Sequence, residues 1–377
     1  MPREPNAVDF WRGFALITIF IDHIPGLVYS KFTLTNFSMS DAADLFVFLA
    51  GWSLRLMADG GGRHMPTRNV MLRLFGRALE IYAAQVLITM LAIAMLAATS
   101  IEFDNPLLLE WHNAAAVFND PVPTHIGLAL LSHQLGYFDI LPLYVVLMLM
   151  APFFALIDRI APYLLLPASG VLYLAVLAFR ITLPTWPVSG TWFFNPLAWQ
   201  FVFVLGFSIA RADLGLGALV RRHIRWVRIV AFVLLAYLTF GVLFDALWDP
   251  TDMPEPKLFF LLDKTWATPP RLIQFLTLVA VFSAAFPYLR RFAELPYVHT
   301  PMDALIRMFA MLGRNSLYVF CVGSLLSLTA QFLRFIYRGT VGVDTAVVIS
   351  GIIIMAFTAW LAESRQRTRP ASPAVSA

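Results

Sequence analysis

The sequence predicts an all-α, polytopic integral membrane protein with about ten transmembrane helices. Hydrophobic residues make up 59% of its 377 residues and charged residues only 13%, whereas soluble chains have about 45–50% and about 25%. Ten segments approach the roughly 20 apolar residues that a membrane crossing needs. Arginines concentrate in alternate connections between these segments, as in the cytoplasmic loops of membrane proteins. This composition excludes a soluble globular enzyme.

The ten segments are too long and continuous to be strands of a membrane barrel, so we expect a helix for each. The first segment carries charged residues and lacks a small-residue cleavage site, which indicates a retained span. We expect a single ten-helix domain over 1–363 and a disordered cytoplasmic tail over 364–377. The predicted segments are roughly 8–29, 43–58, 70–98, 139–157, 160–179, 193–212, 226–247, 270–288, 309–333 and 341–362.

The distribution of charge predicts that both termini are cytoplasmic. With the N-terminus inside, most of the 27 basic residues fall in cytoplasmic connections or in the tail. The long outer connection, 99–138, contains acidic residues but no lysine or arginine. The formal net charge of +4 gives no indication of nucleic-acid binding. The single cysteine, Cys321, excludes an internal disulfide and a cysteine-based zinc site, and we expect no metal.

The first segment holds the densest set of ionisable residues within a span, where such residues are costly and indicate function. Arg12 and His23 are eleven residues apart, which places them on nearly the same helix face, about 16 Å apart along the axis. Asp9 can form a structural pair with Arg12 three residues later, and Asp22 is adjacent to His23. Histidine suits general-base chemistry near neutral pH. A purely structural histidine, hydrogen-bonded within the bundle, is the alternative.

Further charged residues begin the second and third segments. Asp41 and Asp44 lie at the outer start of the second segment, where helix capping explains Asp41 equally well. Asp44 is one turn deeper and is a candidate partner for His23. Arg73 and Arg77 form an i,i+4 pair at the cytoplasmic start of the third segment. They suit a phosphorylated cytoplasmic ligand, with snorkelling to lipid headgroups as the alternative.

Aromatic and polar residues concentrate at the predicted outer face. The tryptophans form either an interfacial belt or a platform on which flat rings stack against sugars. Asp139 starts the fourth segment, where a helix N-cap is its default explanation. The remaining candidates for binding a large polar ligand are Trp192, Asn195, Trp199 and Gln200, of which the two amides can instead bond between helices.

Six motifs along the chain carry a resemblance to known membrane proteins. They are Asp9-Phe10-Trp11-Arg12, Ile19-Phe20-Ile21-Asp22-His23-Ile24-Pro25-Gly26, Asn36-Phe37-Ser38-Met39-Ser40-Asp41-Ala42-Ala43-Asp44, Phe138-Asp139-Ile140-Leu141-Pro142, Phe194-Asn195-Pro196-Leu197-Ala198-Trp199-Gln200 and Leu312-Gly313-Arg314-Asn315-Ser316. The motifs resemble the acyltransferase family 3 membrane proteins, in which an Arg or Lys precedes a His by the spacing of Arg12 and His23. Within that superfamily the chain is most similar to the OpgC-type proteins, which succinylate osmoregulated periplasmic glucans. Gly323 stands roughly where many family 3 enzymes have a further histidine.

This resemblance implies an acyl-CoA-dependent O-acyltransferase of the bacterial inner membrane. It would transfer a succinyl group from succinyl-CoA, or an acetyl group from acetyl-CoA, to a periplasmic glucan or another envelope polysaccharide. His23 would be the general base or a transient acyl carrier, oriented by Asp22 or Asp44. The donor would meet Arg12, Arg73 and Arg77, and the acceptor would meet Asp41, Asp139, Trp192, Asn195, Trp199 and Gln200.

The resemblance also sets expectations for partners. We expect no permanently bound cofactor, and we expect the bilayer and glucan-synthesis proteins as partners. A proton-coupled transporter or flippase of glucan is the competing interpretation from a different class, since intramembrane Asp and His residues suit it as well. A nonenzymatic scaffold for glucan assembly is the third.

Overall fold

The computed structural model describes residues 4–59, 66–249, 252–295 and 299–368, and 77% of it is helical. The helices are α1 (Ala7–Asp22), α2 (Ala42–Ala58), α3 (Thr67–Glu102), α4 (Ala115–Asn119), α5 (Pro121–Ala129), α6 (Ile140–Ile160), α7 (Pro162–Phe179), α8 (Pro196–Ala210), α9 (Gly215–Arg222), α10 (Ile224–Leu243), α11 (Pro269–Phe282), α12 (Ala285–Ala293), α13 (His299–Arg314), α14 (Ser316–Tyr337) and α15 (Val341–Thr368). Strands β1 (Pro184–Thr185) and β2 (Gly190–Thr191) pair as one short antiparallel hairpin.

Seven helices of the described ranges are long and apolar enough to cross a membrane. An eighth span results if α8 and α9, which meet at an angle of 61°, cross together. The prediction of an all-α, multi-pass membrane protein is therefore confirmed. The number of ten crossings, the cytoplasmic termini and the single domain over 1–363 stay predictions. Among the basic residues that the charge distribution assigns to the cytoplasmic side, Arg3 and Arg63 lie outside the described residues.

Several predicted segments differ from the helices that form, and the eighth, 270–288, is divided between α11 and α12. The first, 8–29, is helical only to Asp22, because proline disfavours the helical region for the residue before it and Gly26 adopts φ +72°. The ninth, 309–333, is interrupted at Asn315, which separates α13 from α14. The Asn315 side chain donates a hydrogen bond to the carbonyl oxygen of Met311 at 2.9 Å, so it competes with the backbone for the helical acceptors.

The predicted disordered tail begins too early. Helix α15 continues to Thr368, so residues 364–368 are helical. The Ser364 hydroxyl donates to the carbonyl oxygen of Trp360, four residues earlier, at 2.8 Å. The rest of the predicted tail, 369–377, lies outside the described residues.

The chain divides into two compact units. We call Met1–Tyr29 with Pro287–Ala377 the terminal unit, and Ser30–Phe286 the middle unit. In the terminal unit α1 packs against α13 and α14, and α15 packs against both of these. In the middle unit α8 packs between α2 and α7, while α6 packs against α3.

Reciprocal glycines bring one helix pair of each unit into backbone contact. In the middle unit a Cβ at Gly51 of α2 would overlap the carbonyl oxygen of Phe203, and a Cβ at Gly206 of α8 would overlap that of Phe48. In the terminal unit Gly13 of α1 and Gly313 of α13 have the same relation. Small residues at such crossings let membrane helices gain close van der Waals packing.

Helix α3 extends far beyond the helix that packs beside it. Its 36 residues span about 54 Å, more than the roughly 30 Å hydrocarbon core. The Gln85 side chain, halfway along α3, donates to the carbonyl oxygen of Phe138 at 2.9 Å, just before α6 starts. The start of α6 therefore lies about 25 Å along the axis from the C-terminal end of α3. That C-terminal half exposes Leu87 and Ile101, which suits contact with lipid.

We expect Gly51→Ala to destabilise the protein by about 1–3 kcal/mol, because the added methyl group overpacks the α2–α8 contact. The melting temperature of the purified protein in detergent measures this loss. Gly76→Ala is the matched control, since a Cβ there meets nothing within 4 Å, and its melting temperature should be unchanged or higher. Equal melting temperatures for the two variants would contradict the close packing of α2 and α8.

Candidate functional site

His23 lies at the end of α1 in the terminal unit. Its backbone N–H donates to the carbonyl oxygen of Ile19 at 3.0 Å, and it caps the helix. Its side chain lies in a narrow gap between α1 and α14, which we call the crevice, and the gap has no space for a water molecule. The other lining residues are Leu16, Ile19, Phe20, Val319, Phe320, Gly323, Ser324 and Ser327. Among the described residues, the imidazole is thus the one titratable group in an otherwise apolar or hydroxyl lining.

The crevice follows the α1 face predicted from the spacing of Arg12 and His23. Leu16 and Ile19 lie four and seven residues after Arg12, so they share its side of the helix. Arg12 itself is partly buried. One face of α1 therefore carries a cation, an apolar stretch and an imidazole in that order.

The two acidic neighbours on α1 are placed differently from each other. Asp9 is buried, and its carboxylate accepts a hydrogen bond from the side chain of Asn6 at 2.9 Å, next to the start of the helix. Asp22 is the last residue of α1 and is partly buried. The pairing of Asp9 with Arg12 and the support of His23 by Asp22 stay predictions.

Charged residues converge in the middle unit at the start of α2. Asp41 caps α2, and its carboxylate lies 2.7 Å from the ammonium of Lys264 and 3.0 Å from the guanidinium of Arg271. Asp44, which is only 1% exposed, lies 2.5 Å from Arg271 and also accepts the backbone N–H of Asp41 at 2.9 Å. The reciprocal bonds of Asp41 and Asp44 form a capping box. Both oxygens of Asp44 are thus engaged within its own unit.

Asp139 completes what we call the charged cluster: Asp41, Asp44, Asp139, Lys264 and Arg271. Burial raises the pKa of the Asp139 carboxyl to about 6, although the charge of Lys264 acts in the opposite direction. Burial also acts to raise the pKa of Asp41, but the charges of Lys264 and Arg271 outweigh it and hold that pKa below its usual range. Lys264 is 30% exposed, so ligands can reach its ammonium.

The charged cluster lies where several helices of the middle unit begin. Asp41, Asp139, Asn195 and Thr268 are the N-caps of α2, α6, α8 and α11. The carbonyl oxygen of Lys264 accepts the indole N–H of Trp199 at 2.9 Å, and that of Thr265 accepts the backbone N–H of Asn195 at 3.1 Å. Because α6 starts level with the middle of α3, the cluster is recessed relative to the C-terminal end of α3. Asp139 is partly exposed, and its position at the outer surface stays a prediction.

Four residues predicted to bind the acceptor substrate are buried or hydrogen-bonded within the protein, where they stabilise the fold. Trp199 is fully buried and Trp192 nearly so, so neither offers a ring face for a sugar to stack on. Asn195 caps α8 and donates to the carbonyl oxygen of Ile181 at 2.8 Å. Gln200 exchanges hydrogen bonds with Ser169 on α7 at 2.7 and 3.1 Å.

Other aromatic rings are accessible near the charged cluster. Phe193 is 46% exposed, and the ammonium of Lys264 lies 5.7 Å from the centre of its ring and 5.2 Å from that of Phe194. Trp186, at the β1–β2 hairpin, is 44% exposed. In this connection the accessible rings are therefore those of Trp186 and Phe193 rather than Trp192 and Trp199, and the aromatic platform stays a prediction.

The predicted donor-binding arginines divide between the two units. Arg12 belongs to the terminal unit, whereas Arg73 and Arg77 project from α3 in the middle unit. Arg73 is exposed. Arg77 forms an exposed pair with Glu80 at 2.6 Å, and the guanidinium groups of Arg73 and Arg77 are both accessible to a soluble ligand.

The sequence analysis missed Lys264 and Arg271. Arg271 lies within a predicted span, 270–288, and an ionisable residue inside a span is itself a signal of function. Lys264 lies in a connection just before that span, and no local pattern distinguishes it there. Its position becomes informative only once the starts of α2 and α11 are brought together.

We expect Arg271→Met to lower the free energy of unfolding by about 3–5 kcal/mol, because it leaves the buried Asp44 carboxylate without its counter-charge. Thermal unfolding in detergent measures the loss, and Arg271→Met/Asp44→Asn should recover part of it. Arg307→Met removes an exposed pair with Asp303 and should change stability by less than about 1 kcal/mol. A similar loss in the single and double variants would show that the Arg271–Asp44 charge pairing does not matter.

One family match covers both the crevice at His23 and the charged cluster. The chain matches the family described as OpgC protein over residues 3–367, which includes both the crevice at His23 and the charged cluster. The comparison with curated proteins returned no match. Because the family match covers nearly the whole chain, it indicates a transferase that modifies glucans. The chain belongs to the OpgC family.

Proposed function

We propose that this protein is an O-acyltransferase of the bacterial inner membrane that moves a succinyl group from succinyl-CoA to a hydroxyl of a periplasmic glucan. The observation that carries the proposal is the position of His23, whose imidazole lines the crevice between α1 and α14. Membership of the OpgC family supplies the glucan as the acceptor class.

The donor is a phosphorylated thioester with a long, mostly apolar arm. Arg12, Arg73 and Arg77 are the proposed contacts for its phosphates, for which guanidinium groups provide charge-assisted hydrogen bonds. The α1 face from Arg12 to His23 offers an apolar lining of about 16 Å in length. The crevice is closed in this structure, so a thioester chain reaches the imidazole along that face only when α1 and α14 separate, and its carbonyl carbon then lies against the ring.

In the proposed reaction His23 acts as a general base. The neutral imidazole takes the proton of a glucan hydroxyl as the sugar oxygen attacks the thioester carbonyl carbon. The new C–O ester bond forms, the C–S bond breaks, and the CoA thiolate takes up the proton from the imidazolium. A transient acyl-imidazole, formed by direct attack of the ring nitrogen on the thioester, is the alternative use of the same side chain.

The charged cluster binds the acceptor. The cluster contains three carboxyl groups and two cationic side chains, and this mixture suits neutral sugar hydroxyls better than an anionic ligand. Asp41 and Asp139 accept hydroxyl hydrogens, and Lys264 donates to sugar oxygens. The exposed rings of Phe193 and Trp186 stack on sugar faces. Asp44 holds Arg271 rather than orienting His23.

We expect His23→Ala to abolish acylation of periplasmic glucans while the protein still inserts and folds, because the other described residues that line the crevice offer no base. Mass spectrometry of glucans from cells with the wild-type protein, without it and with the variant measures this. His125→Ala, which changes an exposed histidine, should leave acylation intact.

The mass of the added group tests the donor. An increase that corresponds to succinyl supports the proposal, and one that corresponds to acetyl replaces the donor with acetyl-CoA. Retained acylation in His23→Ala would overturn the role of His23. Identical, unmodified glucans in all strains, together with uptake of glucan into vesicles, would favour the transporter.

We expect Arg77→Ala to raise the KM for the acyl-CoA donor about tenfold, since one charge-assisted hydrogen bond to phosphate is worth about 1.5–3 kcal/mol. The kcat should change little, because a contact to the phosphates stabilises the bound donor and the transition state alike. Steady-state release of CoA by the protein in liposomes measures both constants. Arg338→Ala, at an exposed arginine after α14, is the control. A KM for the donor equal to that of the wild type would remove Arg77 from the donor site.

A further inference from the structure

The backbone carbonyls around His23 are bonded in an unusual way. A helix normally leaves its last four carbonyl oxygens without a partner inside the helix. At the end of α1 the N–H of Ile24 donates to the carbonyl oxygen of Ile21 at 3.1 Å rather than to that of Phe20. Pro25 has no N–H to contribute, and Gly26 turns the chain away with φ +72°. The carbonyl oxygens of this region therefore depend on donors from elsewhere.

One stripe of α14 provides those donors. The hydroxyl of Ser327 is shared between the carbonyl oxygen of Phe20 at 3.2 Å and that of Gly323 on its own helix at 2.9 Å. The Gln331 amide donates to that of His23 itself at 2.7 Å. The Arg334 guanidinium donates to that of Gly26 at 2.8 Å. Since the three donors are four and three residues apart, they share one helix face. We call this series of bonds the α14 ladder.

Helix α15 anchors the far end of the α14 ladder. Asp344, which is 1% exposed, accepts the backbone N–H of Val28 at 2.9 Å and lies 3.0 Å from the guanidinium of Arg334. The Tyr29 hydroxyl bonds to Thr345 at 2.8 Å. The segment from His23 to Tyr29 is thus held on both sides by side chains of the same unit. In a site of low dielectric these bonds are stronger than they would be in water.

We propose that Gln331, Arg334 and Asp344 are positioning residues for His23. Gln331 fixes the peptide group of the histidine, and the Arg334–Asp344 pair fixes the turn that follows it. Together they hold the imidazole at the crevice. This inference rests on the proposed function, because it takes His23 as the base that the α14 ladder serves. The geometry matters to the rate because a displacement of about 1 Å at a catalytic group can cost about 100-fold.

The first test is Gln331→Met, which keeps the length of the side chain but removes the donor to His23. We expect kcat to fall about 10-fold to 100-fold, with the KM for donor and for glucan within about twofold, because neither substrate-binding group is changed. Thr329→Val is the matched control on the same helix, since its hydroxyl is exposed and bonds back to the carbonyl oxygen of Leu325. It should retain the wild-type kcat.

The second test is Arg334→Lys, chosen because loss of the charge opposite Asp344 risks unfolding. The lysine keeps the ion pair but cannot reach Asp344 and the carbonyl oxygen of Gly26 with two separate nitrogens. We expect a kcat between those of the wild type and Gln331→Met, with a melting temperature close to that of the wild type. Wild-type kcat in both Gln331→Met and Arg334→Lys would overturn a role of the α14 ladder in catalysis. The accessibility of His23 then decides whether the ladder or the role of His23 as base is wrong.

A readout independent of catalysis separates this inference from the proposed function. Diethylpyrocarbonate modifies accessible imidazoles, and mass spectrometry of the peptide that contains His23 gives its rate of modification. A changed rate in Gln331→Met with a reduced kcat supports both proposals. A changed rate with wild-type kcat supports the α14 ladder but overturns His23 as the base. An unchanged rate overturns the ladder, whatever His23→Ala shows.

Discussion

A charge or hydrogen-bonding group inside a membrane helix has no water to bind, so it must find its partner within the protein. In the middle unit Arg271 lies against Asp41 and Asp44, and Arg55 pairs with both Asp59 and Asp158. In the terminal unit Arg334 lies against Asp344. These ion pairs hold particular helix ends together, and both candidate sites lie at helix ends held in this way.

In each unit, tight helix crossings and polar contacts between helices give the buried polar groups their partners. The glycine contacts of α2 with α8, and of α1 with α13, bring backbones close enough to exclude lipid. Next to the α1 crossing, α14 supplies side-chain donors to carbonyl oxygens that α1 leaves without partners. The break after Asp22, which would be costly in lipid, is stable because of these donors. The break in turn leaves the imidazole of His23 at a crevice rather than packed inside a continuous helix.

The helices were largely predictable because apolar runs of this length have one solution in a bilayer. The ends of the helices are harder to predict. The end of α1 depends on Pro25 and Gly26, which are visible in the sequence, and also on hydrogen-bond donors from α14, which are not. The interruption at Asn315 arises from a side chain that bonds to its own preceding turn, and a hydropathy profile carries little signal of that. His23, Asp41 and Asp44 were found because ionisable residues in or beside spans are rare and conspicuous. Trp199 was misjudged because a span's outer end does not reveal which side faces the interior, and Lys264 is ordinary until α11 brings it to Asp41.

The charged cluster is hard to explain by stability alone. Replacing a buried ion pair with well-packed apolar side chains is often neutral or stabilising, and a neutral residue can cap a helix start, as Asn195 does for α8. The excess carboxylate at Asp139, next to a partly exposed lysine and an exposed phenylalanine ring, adds desolvation cost without closing a contact between helices. A group that costs stability and remains accessible is best explained by a ligand. Hydroxyl-rich sugars are the ligands that such a mixture of carboxylate, ammonium and aromatic face can bind without a further counter-charge.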